Sequence, residues 1–215
     1  MRRFEAHTEK IQGVAFDAFG TLVRIGDRKQ PFLRLMKLAR QMGRRPDPND
    51  SRVLMTEELG LNAAALYFGI AATHAQLAEL ERDLFSEMGS VQLYPDSLPA
   101  IRMLQDAGMR VAICSNLAAP YAIPVKLLLP DLSAYTWSFT AGALKPEREI
   151  YDQVAQQLNC PLSNLAMIGD TLEADCLGPR RCGMQGFYLD RSGKADASSF
   201  SELTEFARFV LSNHR

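Results

Sequence analysis

The chain has 215 residues, room for one domain or one domain with an insert, and enough to bury a core without disulfide staples. Its 24 Lys+Arg stand against 25 Asp+Glu, a formal net charge of −1, which argues against a general nucleic-acid binder. A hydrophobic share of 47% with 23% charged residues excludes a globally disordered chain.

The apolar run Ile11-Gln12-Gly13-Val14-Ala15-Phe16 stops at Asp17 and predicts a short buried strand. Phe32, Leu35, Met36, Ala39 and Met42 share one face of a helix expected over 31–43, and Pro46 to Asp50 is a turn. Helices are expected over 51–70 and 73–88, and no strand between about 24 and 92. After Tyr94-Pro95-Asp96 the pattern alternates. It predicts a helix over 97–106, a strand over 109–114, a helix over 120–129 and a strand over 137–140. A helix over 147–158, a strand over 164–168, a helix over 172–182, a strand over 185–189 and a helix over 200–212 follow, with Pro179 ending or kinking its helix. Strands alternating with helices imply a parallel sheet covered on both faces. The fold class is therefore α/β, a Rossmann-like parallel sheet with a small helical insert after the first strand. The expected division is 1–23 with 93–215 as the α/β core, and 24–92 as the insert.

No apolar run is long enough to cross a bilayer, and no apolar stretch follows Arg2-Arg3 as in a signal peptide. A cytoplasmic protein without a membrane partner is expected. Cys114, Cys160, Cys176 and Cys182 form no CxxC pair, and read as reduced thiols rather than zinc ligands.

In an open parallel sheet the ligand site lies at the carboxyl ends of the strands. Those ends carry Asp17, then Ser115-Asn116, then Lys145-Pro146 after the third strand, then Asp170-Thr171. Each alone reads as a turn or a helix cap, and Glu173 with Asp175 alone as a solvated helix start. Together, in order on one rim, they read as a site. Asp17 and Asp170 would repel at close range without a cation between them, and such oxygen ligands suit Mg²⁺. Lys145 can neutralise an anionic substrate or hold Asp17 ionised. Ser115 can hydrogen-bond a phosphate or carboxylate oxygen, and an ionised aspartate can be a nucleophile.

The order Asp17…Ser115…Lys145…Asp170 resembles the four motifs of the haloacid dehalogenase superfamily. Phe16-Asp17-Ala18-Phe19-Gly20-Thr21-Leu22 is similar to motif one and Gly169-Asp170-Thr171-Leu172-Glu173-Ala174-Asp175 to motif four. The resemblance implies that 24–92 is a cap and that Asp17, Ser115 and Lys145 are catalytic. It further implies substrate contacts from Ser115, Asn116, Thr21 and Lys145. The metal would be held by Asp17, the backbone carbonyl of Phe19 and Asp170, with Asp175 orienting its waters. The two ends of the site differ in type. Phosphatases of this superfamily carry a second motif-one aspartate as general acid, and here that position is Phe19. Asp17-Ala18-Phe19-Gly20-Thr21-Leu22 is closer to the dehalogenase pattern, whereas Asp170 and Asp175 match the phosphatase motif four.

The expected activity is that of a Mg²⁺-dependent phosphatase acting on a small anionic metabolite with a good leaving group, by a monomer or homodimer. The alternatives are a metal-independent 2-haloacid dehalogenase, with Phe19 lining the halide side, and a catalytically degenerate member that binds an anion or a partner. His74, Glu57 and Glu58 are candidates to replace the missing acid. The basic residues between 24 and 45 include Arg34, Lys37 and Arg40, expected on a solvated helix face, and Arg24, Arg28 and Lys29, closer to the site.

Overall fold

Six parallel strands carry the molecule in the computed structural model, which describes residues 10–193 and 199–213. In chain order they are β1 (Gly13–Phe16), β4 (Arg110–Ser115), β5 (Ala134–Trp137), β6 (Leu165–Gly169), β7 (Gln185–Leu189) and β8 (Ser199–Phe200). They lie side by side as β5-β4-β1-β6-β7-β8. The first strand is thus central, with β4 and β6 as its hydrogen-bonded neighbours. Period-two alternation sorts the side chains. Val14, Phe16, Val111, Ile113 and Ile168 enter one core, while Ala15, Ala112, Cys114, Leu165 and Met167 enter the other. The first face is covered by α5 (Ser97–Asp106) and α10 (Leu203–Ser212), and the second by α8 (Arg148–Leu158), which supplies Ile150, Tyr151, Val154 and Leu158.

The segment after β1 is a helical insert of α1 (Pro31–Gln41), α2 (Asp50–Thr56), α3 (Leu61–Tyr67) and α4 (His74–Gly89). It has its own core of Phe32, Leu35, Leu61, Leu80 and Leu84. Arg34 pairs with Glu79 and Asp83 of α4, so this basic residue is spent inside the insert. Thr73 and Gln76 form a reciprocal capping box that starts α4.

Several expected elements differ. The stretch predicted to lack strands begins and ends in one: β2 (Val23–Ile25) and β3 (Val91–Leu93) pair antiparallel, with Val23 opposite Leu93, and clasp the two ends of the insert. The single helix over 51–70 is two, because Glu57 is extended and Gly60 caps a new start. The strand over 137–140 ends at Trp137. Ser138–Ala141 is a helical turn, α7, closed by Gly142 at φ 64°. The helix over 172–182 opens as a π-helical turn over Leu172–Leu177 and continues as α9 (Gly178–Arg181), the change falling beside Pro179. The last helix starts later than expected because Ser199–Phe200 pairs with β7. Among the described residues no helix is long and apolar enough to cross a membrane.

Candidate active site

Asp17, Ser115 and Asp170 arrive together because their strands are adjacent and parallel and end at one edge. Asp17 Oδ1 accepts hydrogen bonds from Ser115 Oγ at 3.0 Å and from Lys145 Nζ at 2.7 Å. Lys145 Nζ also donates to Asp175 Oδ1 at 2.6 Å, and Asp175 Oδ2 accepts from the Thr171 amide at 2.9 Å. Asp17, Lys145 and Asp175 are all buried. Asn116 sets its side chain on the main chain of Lys145, donating to its carbonyl at 2.9 Å and accepting from its amide at 2.8 Å. It therefore fixes where the lysine stands.

Two glycines permit the close approach. A Cβ on Gly20 would lie 2.0 Å from Asp170 Oδ2, so that carboxylate rests directly on the motif-one loop, and Gly20 also takes φ 86°. A Cβ on Gly169 would meet Asp175 Oδ2 at 2.3 Å and Asp17 Cβ at 2.7 Å. Thr21 is fully buried, and its hydroxyl has no partner among the described residues. Its carbonyl accepts from Arg191, which also pairs with Asp96.

The charges do not balance. Asp17, Asp170 and Asp175 each bring a carboxylate oxygen within 4.8 Å of the others, and among the described residues Lys145 alone brings an ammonium to them. Burial pushes Asp17 up to about 6, with Lys145 opposing and Asp175 adding to the rise. Asp170 is raised too, by burial and then by Asp175. Burial would lower the Lys145 ammonium, but Asp17 and Asp175 outweigh it and hold it above the usual lysine range. Neighbouring Cys114 is pushed up to about 12 by burial, which leaves it an inert thiol.

This geometry suits a divalent cation. No hydrogen bond is made to Asp17 Oδ2 or to the Phe19 carbonyl by the described residues, whereas both oxygens of Asp175 are occupied. The unclaimed oxygens thus belong to residues expected as ligands, and the claimed ones to the residue expected behind them.

The raised Asp17 carboxyl has a consequence for the metal-free protein. A carboxyl that holds its proton more tightly when folded contributes most to stability below its ordinary value of 3.8, and that contribution is lost as pH rises through about 6. Asp17→Asn cannot ionise. In EDTA its stability relative to wild type is expected to rise between about pH 4 and pH 7 in urea denaturation, then level. A difference that falls with pH would contradict this.

Beside the carboxylates lies a cavity of ≈ 390 Å³ between the sheet edge and the insert. Phe19, Asn116 and Tyr121 line it from the core, and Phe32, Leu54 and Glu87 from the insert. His74, Glu57 and Glu58 are exposed and lie outside this lining. Glu87, which sequence reasoning missed, is 3% exposed. Its Oε2 accepts from the amides of Lys29 at 2.7 Å and Gln30 at 2.6 Å, and its Oε1 from the Tyr121 hydroxyl at 3.3 Å. It ties the loop leaving the site to α4 and to the core. The signal was there: an acid three residues after Leu84, on the buried stripe of α4.

The model of a known family matches residues 11–183, and its description is "haloacid dehalogenase-like hydrolase". The chain belongs to this family. A curated relative, ribulose-1,5-bisphosphate 5-phosphatase of Halopiger xanaduensis, is 28% identical over 116 residues, 52% of this chain. The match spans about half of that relative, 48% of its length. Among solved structures, a haloacid dehalogenase-like (HAD) phosphatase from Thermococcus onnurineus is similar at TM-score 0.64 and 23% identity, covering 95% of this chain and 100% of that one. A 2-haloacid dehalogenase from Pseudomonas syringae pv. Tomato DC3000 is similar at TM-score 0.66 and 20% identity, with the same coverage. These likenesses show the fold that phosphatases and dehalogenases of the family share.

Proposed function

We propose that this family member is a Mg²⁺-dependent phosphatase that uses Asp17 as nucleophile and prefers substrates with good leaving groups. The observation that carries the reading is the charge imbalance at the rim: three carboxylates around one ammonium, with the free oxygens on Asp17 and at Phe19. A dehalogenase attacking carbon needs no such excess. The partial match to a bisphosphate phosphatase supports the same direction.

Asp17, Phe19 through its carbonyl and Asp170 would hold the ion, and Asp175 would steady Lys145 and the ion's waters. When bound, Mg²⁺ supplies charge neutralisation and orientation for the transferred phosphoryl group. Asp17 attacks phosphorus with one carboxylate oxygen, and the bond to the leaving group breaks. Ser115 and Lys145 donate hydrogen bonds to the phosphoryl oxygens as charge develops. Water then hydrolyses the aspartyl phosphate and regenerates Asp17. Asn116 holds Lys145 in place throughout. The division of the chain into a hydrolytic core and a substrate-selecting cap over 24–92 belongs to the same proposal.

Phe19 stands where a proton donor would serve the leaving group, and its ring packs edge-on against Tyr121 at 5.9 Å. General acid catalysis contributes roughly 10²–10⁴-fold. Its loss matters least for acyl and aryl phosphates, whose leaving groups depart as stable anions. Phosphate release from acetyl phosphate and para-nitrophenyl phosphate is therefore expected to require Mg²⁺ and to exceed release from glucose 6-phosphate. Phe19→Asp is expected to raise turnover of the sugar phosphate by at least about tenfold and to leave acetyl phosphate little changed. Equal turnover of all three by the wild type would contradict the leaving-group argument. Halide release from a 2-haloacid in EDTA, without phosphate release, would favour the dehalogenase reading.

A further inference from the structure

The cavity beside the carboxylates has a chemistry that bears on the substrate. It begins at Phe19, two residues after Asp17, and at Asn116, next to Ser115, so its wall starts at the chain neighbours of two site residues. Its wall is built from the rings of Phe19, Phe32 and Tyr121 and from Leu33, Leu54 and Met55. The rings of Phe19 and Phe32 lie 5.9 Å and 6.3 Å from that of Tyr121, forming a continuous aromatic surface. Arg28, Gln30 and Ser51 also line it and are exposed, whereas the polar groups among the rings are committed. Tyr121 and Glu87 satisfy each other, and the second oxygen of Glu87 is held by the Lys29 and Gln30 amides. Leu33 is 48% exposed, an apolar residue turned outward from the insert's own core and toward this opening. A polyhydroxy body placed against these rings would leave the hydroxyls that face them without partners, each at a desolvation cost. An apolar body would lose only its contact with water. The volume is within the range of small-molecule pockets.

We propose that this cavity takes the body of the substrate, and that the body is apolar and ring-sized: an aromatic acyl phosphate rather than a sugar phosphate. The proposal rests on the phosphatase reading and names the substrate class for that same site.

Benzoyl phosphate and acetyl phosphate test it, because their leaving carboxylates are nearly equal in acidity and the kcat/KM ratio then reads the cavity. With Mg²⁺ present, the wild type is expected to favour benzoyl phosphate by at least about tenfold. Leu33→Asn is expected to cut that ratio at least threefold. Its site is half exposed, so the fold does not depend on it, and Leu54→Asn provides a second variant. Calorimetry on the Mg²⁺-loaded wild type is expected to give tighter binding of benzylphosphonate than of methylphosphonate. Turnover of both acyl phosphates at a ratio near one, unmoved by Leu33→Asn, would overturn the inference and leave the phosphatase reading standing. Turnover of neither would overturn the phosphatase reading and the inference with it.

Discussion

Asp17→Asn is expected to lower kcat on acetyl phosphate by about 10⁴-fold or more, with the fold intact. The substitution is nearly isosteric, so Ser115 Oγ, 3.0 Å from Oδ1, keeps an acceptor. Lys145 keeps Asp175 as its partner at 2.6 Å. What goes is the carboxylate that attacks and one of the oxygens expected on the ion. The measurement is single-turnover phosphate release alongside a thermal melt of the same preparation. A folded variant that retains more than about a hundredth of wild-type turnover would show that another group does the chemistry. The blank is also chemically clean, because the neighbouring Cys114 thiol is held protonated by burial.

Lys145→Met carries the largest expected effect on stability. The ammonium touches Asp17 at 2.7 Å and Asp175 at 2.6 Å, and all three groups are buried. Removing the cation alone leaves two buried carboxylates facing one another, a change that typically costs about 3–5 kcal/mol. Methionine fills the space of the lysine stem, so the cost is electrostatic rather than a packing void. The sign of the pH dependence follows from the carboxylates. Their repulsion vanishes when either takes up a proton, so the loss should be greatest near neutral pH and smaller in mild acid. Urea denaturation of wild type and variant in EDTA, at about pH 5 and about pH 7.5, reads both magnitude and direction. A loss under about 1 kcal/mol at the higher pH, or one that grows in acid, would contradict the picture of a lysine neutralising both aspartates. Catalysis should fall as well, since the phosphoryl oxygens lose a donor.

The sheet and the residues at its edge were legible in the sequence for a shared reason. Phe16, Cys114 and Ile168 end short apolar runs, and the first polar residue after such a run stands where parallel strands open to solvent. Lys145 sits in the loop before α8, outside any strand, and was legible as the lysine that follows the third predicted strand, although the helical turn α7 stands between. The clasp of β2 and β3 was not legible. Each strand has three residues, too few to show a period, and their pairing joins positions about 70 apart in the chain. The break between α2 and α3 was hidden because apolar spacing runs on across Glu57 to Gly60. The helix expected over 120–129 starts as a 3-10 turn over Ala119–Tyr121, and that turn aims Tyr121 at Phe19 and Glu87. The cavity itself is a tertiary product. Its walls come from the loop after β1, from α1, α2 and α4, and from the segment after β4, and none of these segments carries a local sign of the others.

The central claim is that Asp17 bears the phosphoryl group during turnover, in a site that needs Mg²⁺. Its most direct test is to quench the enzyme in acid while it turns over acetyl phosphate, then to measure intact mass and map the modified peptide. A protein heavier by one phosphoryl group, with the label on Asp17 and lost both in EDTA and in Asp17→Asn, is the result predicted. Sustained phosphate release with no labelled protein at any quench time, or with the label on another residue, would contradict it.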